Sequence, residues 1–350
     1  MTRNRARQAS AAASVLVLAG ALAACSATSG APASAPATEA IVQGLDAPWS
    51  IAFHDGTALV SERDSARIVE IGDDGSTREV AVIDGVVPGG EGGLLGLAVH
   101  DDELFAYLTA DGENRVERRE IRGEPGALTL GDATVVIDGI PAARTHNGGR
   151  LAFGPDGMLY VTTGDAGDRD SAQDLDALSG KILRLTPDGA VPDDNPFAGS
   201  PVYTSGHRNP QGIAWDADGT MYASEFGQDT WDELNVIEPG GDYGWPEVEG
   251  IAGDERYIDP VQQWTPDEAS PSGIAVAGGS ILIANLRGER LRMVPLDDLS
   301  TSTESDTGGL GRLRDVVVTP GGGVWVLTNN TDGRGTPRDG DDRIVPVLQD

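Results

Sequence analysis

The sequence predicts an all-β fold, a six-bladed β-propeller built of four-stranded antiparallel blades. Three observations predict it. An apolar run, a small polar turn that usually holds glycine, and a second β-rich run recur six times, starting at Ile51, Leu97, Leu151, Ile213, Ile274 and Val316. The starts lie 42 to 62 residues apart, the period of strand-built blades. No long amphipathic helical period competes with this pattern. Finally, 48 glycines in 350 residues are about twice the ordinary share, as a chain full of tight turns requires. An open array of β-sandwiches is the competing architecture.

The elements follow in chain order. Arg3, Arg5 and Arg7 precede an apolar stretch from Ala11 to Ala24 that is too short to span a bilayer, so residues 1–24 read as a secretory signal. It ends in Leu22-Ala23-Ala24-Cys25, which looks like a bacterial lipobox; an ordinary signal peptide that contains a cysteine is the alternative. Cys25 is the single cysteine, and its acylation would make the protein a lipoprotein anchored to the outer face of the cell membrane. Residues 25–40, rich in Ala, Ser, Pro and Thr, have the composition of a flexible tether. The propeller domain is expected over 41–350.

Within it, Ile51–Val60 and Leu97–Tyr107 are the first two hairpins, the former turning at Asp55-Gly56. Leu151–Val161 turns at Asp156-Gly157, and Ile213–Ala223 turns at Asp218-Gly219. Ile274–Ile283 and Val316–Val326 turn on paired and tripled glycines. A third strand follows in most copies, as at Ala66–Ile71, Lys181–Leu185 and Leu234–Ile237. Because an unclosed ring leaves two bare edges, Ala40–Leu45 should pair with Arg343–Leu348.

Charge narrows the function. Twenty-five basic against 56 acidic residues give a formal charge of −31, which repels phosphate backbones and anionic headgroups and excludes nucleic-acid binding as the main role. Of the 25 cations one is a lysine, Lys181. Several inter-blade segments are poor turn chemistry but good binding chemistry: His146-Asn-Gly-Gly-Arg150, Thr163-Gly-Asp165 and Gly206-His-Arg-Asn-Pro-Gln-Gly212. The run Ser224–Glu233 gathers carboxylates and loop carbonyls suited to a hard cation. Alternation puts Arg312 and Arg314 on one side of a strand. Near-equal repeats place equivalent loops on one rim, so His146, Arg208 and Arg312 are expected to converge there. His54 and His100 lie inside blade repeats and read as structural. A nicotinamide site is unsupported, since no Gly-x-Gly-x-x-Gly opens a helix.

Gly90-Glu-Gly-Gly-Leu-Leu-Gly-Leu97, His146–Leu151, Gly206–Gly212, Asp232-Glu-Leu-Asn235 and Tyr243-Gly-Trp-Pro246 occur in one order. Together they resemble the soluble pyrroloquinoline-quinone (PQQ)-dependent glucose/sorbosone dehydrogenase family, close to the aldose sugar dehydrogenases, over about residues 40 to 348. The resemblance implies oxidation of the anomeric carbon of an aldose sugar to a lactone, with PQQ and calcium as cofactors and an external electron acceptor. It gives His146 the role of general base, oriented by Asp165, and puts Arg208 and Asn209 on the quinone. It implies further cofactor contacts from Glu91, from Asn285, Leu286 and Arg287 in the blade-five loop, and from Arg312, Leu313 and Arg314. Arg287 stands where the family often has lysine. Gly227 and Gln228, in place of the family's Gly-Pro, would offer carbonyls to calcium; Glu233 and the Tyr243 carbonyl would hold a second, structural ion. The rivals are a non-catalytic calcium-stabilised propeller binding carbohydrate or protein at the cell surface, and a calcium-dependent lactonase on a similar ring.

Overall fold

The computed structural model describes residues 39–305 and 307–347. The signal segment, Cys25 and nearly all of the tether lie outside the described residues, as does Leu348. Among the described residues the strands form six antiparallel sheets, each with a path of four strands, to which blade 2 adds the short strand Thr129–Leu130. Blade 1 opens with Pro48–His54, blade 2 with Leu94–His100, blade 3 with Leu151–Phe153, blade 4 with Pro210–Trp215, blade 5 with Pro271–Ala277 and blade 6 with Leu313–Val318. These first strands touch one another in sequence around the ring, the sixth meeting the first. The fourth strand of blade 6 is Val42–Gln43, from the start of the domain. Val42 pairs with Ile344 and Gln43 with Arg343, so the ring closes by the pairing expected.

The far-end hairpins obey the turn chemistry read from the sequence. Asp55 and Gly56 have φ of 47° and 82°, the two left-handed residues of a type I′ turn. The inner strands differ in one respect. Five of them begin three residues before the apolar repeat, and a register shift separates the extension from the rest: Pro48/Ser50, Leu94/Leu97, Pro210/Gly212, Pro271/Ile274 and Leu313/Asp315. A bulge breaks the two-residue period, so the extension is hidden from hydrophobic patterning.

Those extensions line the centre of the ring with polar groups. Arg150 Nη1 donates to Asp315 Oδ2 (2.9 Å), its Nε donates to the Gln211 carbonyl (2.8 Å), and the guanidinium lies 4.4 Å over the Trp49 ring. The apolar core is distributed between blades. Leu59 and Ile68 of blade 1 meet Leu94 and Leu104 of blade 2; Tyr160 and Ile182 of blade 3 meet Ile213 and Ala223 of blade 4; Val60 and Val69 meet Leu327 and Ile344 where the ring closes. Each buried side chain of this size contributes about 1.5–3 kcal/mol. The polar loops that precede the inner strands and follow the second strands are therefore held on a rigid rim.

Candidate active site

His146 sits just before the inner strand of blade 3 with φ of 59°, and Asp165 lies beyond the end of the next strand. The hairpin brings them together: His146 Nδ1 is 2.7 Å from Asp165 Oδ1. Asp165 is fully buried, and Oδ1 also accepts from the Gly167 amide (2.7 Å) while Oδ2 accepts from Trp245 Nε1 (2.9 Å). Burial raises the Asp165 carboxyl, but the bonds from His146, Gly167 and Trp245 outweigh it and hold the group below its ordinary range. An ionised Asp165 accepts, so Nδ1 carries the proton and Nε2 is the basic nitrogen. On the backbone side, the His146 amide donates to Glu91 Oε2 (2.8 Å), whose other oxygen accepts from Arg334 (2.9 Å).

Blade 4 adds the second half. The Asp165 amide donates to the Arg208 carbonyl (2.8 Å), and the Gly148 amide donates to Asn209 Oδ1 (3.0 Å). Glu225, buried at the end of the blade's second strand, accepts from the amides of Arg208 and Asn209 and pairs with His207 Nδ1 (2.8 Å). The Arg208 guanidinium lies 5.5 Å from the Trp245 ring and donates through Nη1 to the carbonyls of Phe226 and Gly227. Burial pulls Arg208 below the usual arginine range, against the charges of Asp165 and Glu225. A cleft beside it is lined by Glu225, Glu233, Tyr243, Trp245 and Glu249.

Blade 6 completes the rim. Arg312 Nη2 donates to Asp332 Oδ2 (3.1 Å), and Asp332 Oδ1 accepts from the Arg334 amide (2.9 Å). Through Arg334 and Glu91 the chain of contacts runs back to His146, so His146, Arg208 and Arg312 share one rim. Arg314 is saturated: it donates to Gln211 Oε1 (2.8 Å) and to Asn329 Oδ1 (3.1 Å).

Four buried polar atoms on this rim have no partner among the described residues: Arg208 Nε, Asn209 Nδ2, Arg312 Nε and Asn285 Oδ1. Unmet buried donors are costly unless a ligand supplies acceptors. Three donors, two of them cationic, fit an acceptor-rich tricarboxylate such as PQQ. The other expected contacts show no open buried polar side-chain atom. The Arg287 side chain, next in the chain but one to Asn285, is 57% exposed and paired with Asp267. The Leu286 side chain is buried, and Leu313 packs in the cluster between blades 5 and 6.

The cation residues divide. Glu233 stands beside Glu225 on the neighbouring strand, and burial first, then that like charge, push it up to about 8. A divalent cation would offset both, so Glu233 fits one. The Gly227 carbonyl is taken by Arg208, while Gln228 is exposed with its amide on Glu249 Oε1 (2.6 Å). Calcium there requires the guanidinium to turn away. No group of three or more His, Cys, Asp or Glu suited to a metal exists among the described residues. The Tyr243 side chain stacks on His207 at 4.7 Å.

Sequence reasoning left three participants without roles. Trp245 belongs to the Tyr-Gly-Trp-Pro motif, yet its bond to Asp165 spans 80 residues. Glu225, one of the carboxylates of the Ser224–Glu233 run, also holds the Arg208 loop through two backbone amides. Asp332, the counter-ion of Arg312, lies in a run with no motif.

A paired imidazole and buried carboxylate thus stand beside unmatched cationic donors on a propeller rim, a site equipped for general-base chemistry on a ligand that brings acceptors. Residues 45–336 match the glucose/sorbosone dehydrogenase family, to which the chain belongs. Among solved structures, the PQQ-bound aldose sugar dehydrogenase of Streptomyces coelicolor is 48% identical, with a TM-score of 0.84 over 88% of this chain and 96% of that one. The aldose sugar dehydrogenase of Escherichia coli is 29% identical over 86% of this chain and 92% of its own. Quinoprotein glucose dehydrogenase B of Acinetobacter calcoaceticus is 33% identical over 62% of this chain and 54% of its own.

Proposed function

We propose that the protein is a PQQ- and calcium-dependent sugar dehydrogenase that oxidises the anomeric carbon of an aldose to a lactone. The observation that carries this is the His146–Asp165–Trp245 series standing beside the unpartnered donors of Arg208 and Asn209. His146 Nε2 takes the proton of the anomeric hydroxyl. Asp165 stabilises the imidazolium that forms and keeps the ring in the tautomer that frees Nε2. Trp245 fixes the carboxylate. Arg208, Asn209 and Arg312 would hold PQQ, with Arg314 supporting Arg312, and Glu233 with Tyr243 would hold calcium. Bound PQQ would supply the acceptor for the hydride that leaves carbon, a capacity no side chain has.

On this reading the chain is exported, acylated at Cys25 and held at the outer face of the membrane, where an external acceptor collects the electrons. The test is reconstitution. Purified protein supplied with PQQ and calcium together should reduce a dye in the presence of an aldose, and neither addition alone should suffice. PQQ binding without turnover on any aldose of a broad panel would return the protein to the binding-module alternative.

A further inference from the structure

Lys181 is the single lysine among 25 basic residues, and the mechanism above does not use it. It opens the third strand of blade 3 and is fully buried. Its ammonium donates to three backbone carbonyls: Ser171 (2.7 Å), Ser179 (2.8 Å) and Ala172 (3.0 Å). Two of them belong to the 3-10 turn Arg169–Ala172, in the loop that runs from Asp165 back to the strand. Three carbonyls converging on one point match a compact ammonium with three radial donors; a planar guanidinium fork cannot meet them together. In a chain that otherwise uses arginine throughout, the lysine occupies a place where arginine does not fit.

That turn is joined to the site by contacts Lys181 does not make itself. The Ala172 carbonyl also accepts from the Gly206 amide (2.9 Å), just ahead of Arg208. Gln173 Nε2 donates to the Trp245 carbonyl and to Asp242 Oδ1, each at 2.9 Å. The Arg169 guanidinium lies 4.3 Å over the Trp245 ring. Trp245 Nε1 in turn holds Asp165. The loop therefore begins at the carboxylate that orients His146, is tied down by Lys181, and grips the indole that fixes the same carboxylate.

We infer that Lys181 is a positioning residue for the catalytic pair: its three carbonyl bonds lock the 166–180 loop so that Trp245 and Asp165 hold His146 in register. The inference deepens the dehydrogenase reading, and its test separates the two. Lys181→Met, Lys181→Arg and Gln173→Ala would be compared with the wild type in the full chain reconstituted with PQQ and calcium. In each, kcat should fall by about three- to tenfold while KM stays within about twofold, because misplacement of a reacting group costs rate rather than binding. The indole N–H resonance of Trp245, read by NMR without turnover, should move in all three.

Gln173→Ala cuts the grip on Trp245 and leaves Lys181 in place, so it keeps the test open if the Lys181 variants do not fold. Wild-type kcat and an unmoved indole signal in Gln173→Ala, or in either folded Lys181 variant, would overturn the inference. An inactive wild type would count against the dehydrogenase instead, and the indole signal would still decide the role of Lys181.

Discussion

Arg208 of blade 4, half-buried, and Arg314 of blade 6, buried, belong to the same rim in opposite states. Arg208 has spent its Nη1 on two backbone carbonyls, while its Nε faces no acceptor among the described residues. Asp165 and Glu225 lie near its guanidinium but accept from other donors, Glu225 from the Arg208 backbone amide. Arg312 and Arg314 share the carboxylate of Asp332, and Arg314 also has Gln211 and Asn329. Burial, with the charges of Arg312 and Arg63 adding to it and Asp332 opposing, pulls Arg314 down to about 9, still charged at neutral pH. A cation already compensated gains little from a new anion; one held dry with an open donor gains much. The two arginines thus divide the labour: Arg314 braces the ring, while Arg208, like Arg312 through its own open Nε, keeps a donor free for a ligand.

The largest effect should follow from removing the base. His146→Ala leaves every unpartnered donor in place, so PQQ binding measured by absorbance should stay within about threefold while kcat falls by about 10²–10⁴. Turnover near the wild-type level would exclude His146 as the base. Loss of PQQ binding would instead move it to the cofactor.

Next comes the direct contrast. Arg208→Met removes a desolvated charge-assisted bond and should weaken PQQ binding by about 10- to 100-fold, the equivalent of about 1.5–3 kcal/mol. Arg314→Met should change PQQ affinity by less than about tenfold but lower the thermal midpoint, since Gln211, Asn329 and Asp332 lose a buried partner. Titration and thermal unfolding of both variants decide the matter. Equal losses of affinity would abolish the division between the two arginines.

This division was only partly legible in the sequence. The fold was legible because two-residue turns and six apolar repeats are local signals, and the ring closure followed from the need to cover an edge. His146, Asp165 and Arg208 stood out because their loops are too polar and too rich in glycine to be plain connectors. What escaped depends on partners chosen in space. The three-residue extensions of the inner strands were hidden by bulges. Arg312 and Arg314 looked like two open cations because Asp332 is 18 residues beyond Arg314 in a featureless stretch. Arg287, named only through the resemblance, meets Asp267 near the surface, a pairing no local pattern announces. Lys181 was visible as an oddity of composition, but its role required seeing three carbonyls meet.

The smallest effect concerns Trp245, and it tests whether the reactive side depends on a hydrogen bond or only on packing. Phenylalanine keeps an aromatic ring against Arg208 and removes the Nε1 donor to Asp165, so kcat of Trp245→Phe should fall only about three- to tenfold, the worth of one bond of about 1 kcal/mol. The acid side of the stability curve is the sharper measure. Asp165 is held below its ordinary 3.8 in the folded protein: burial raises it, and three hydrogen bonds, that of Trp245 among them, more than reverse this. A carboxyl depressed in this way stabilises the fold fully above its unfolded value and loses that contribution as pH falls through the folded one. Without the indole donor the depression is smaller. The wild type should therefore be more stable than Trp245→Phe by a constant margin above about pH 5, and the bond's share of that margin should vanish as pH falls below 3.8 toward the folded value. A margin unchanged down to about pH 2 would mean that the indole serves as packing, and that Gly167 and His146 suffice to hold the Asp165 carboxylate ionised.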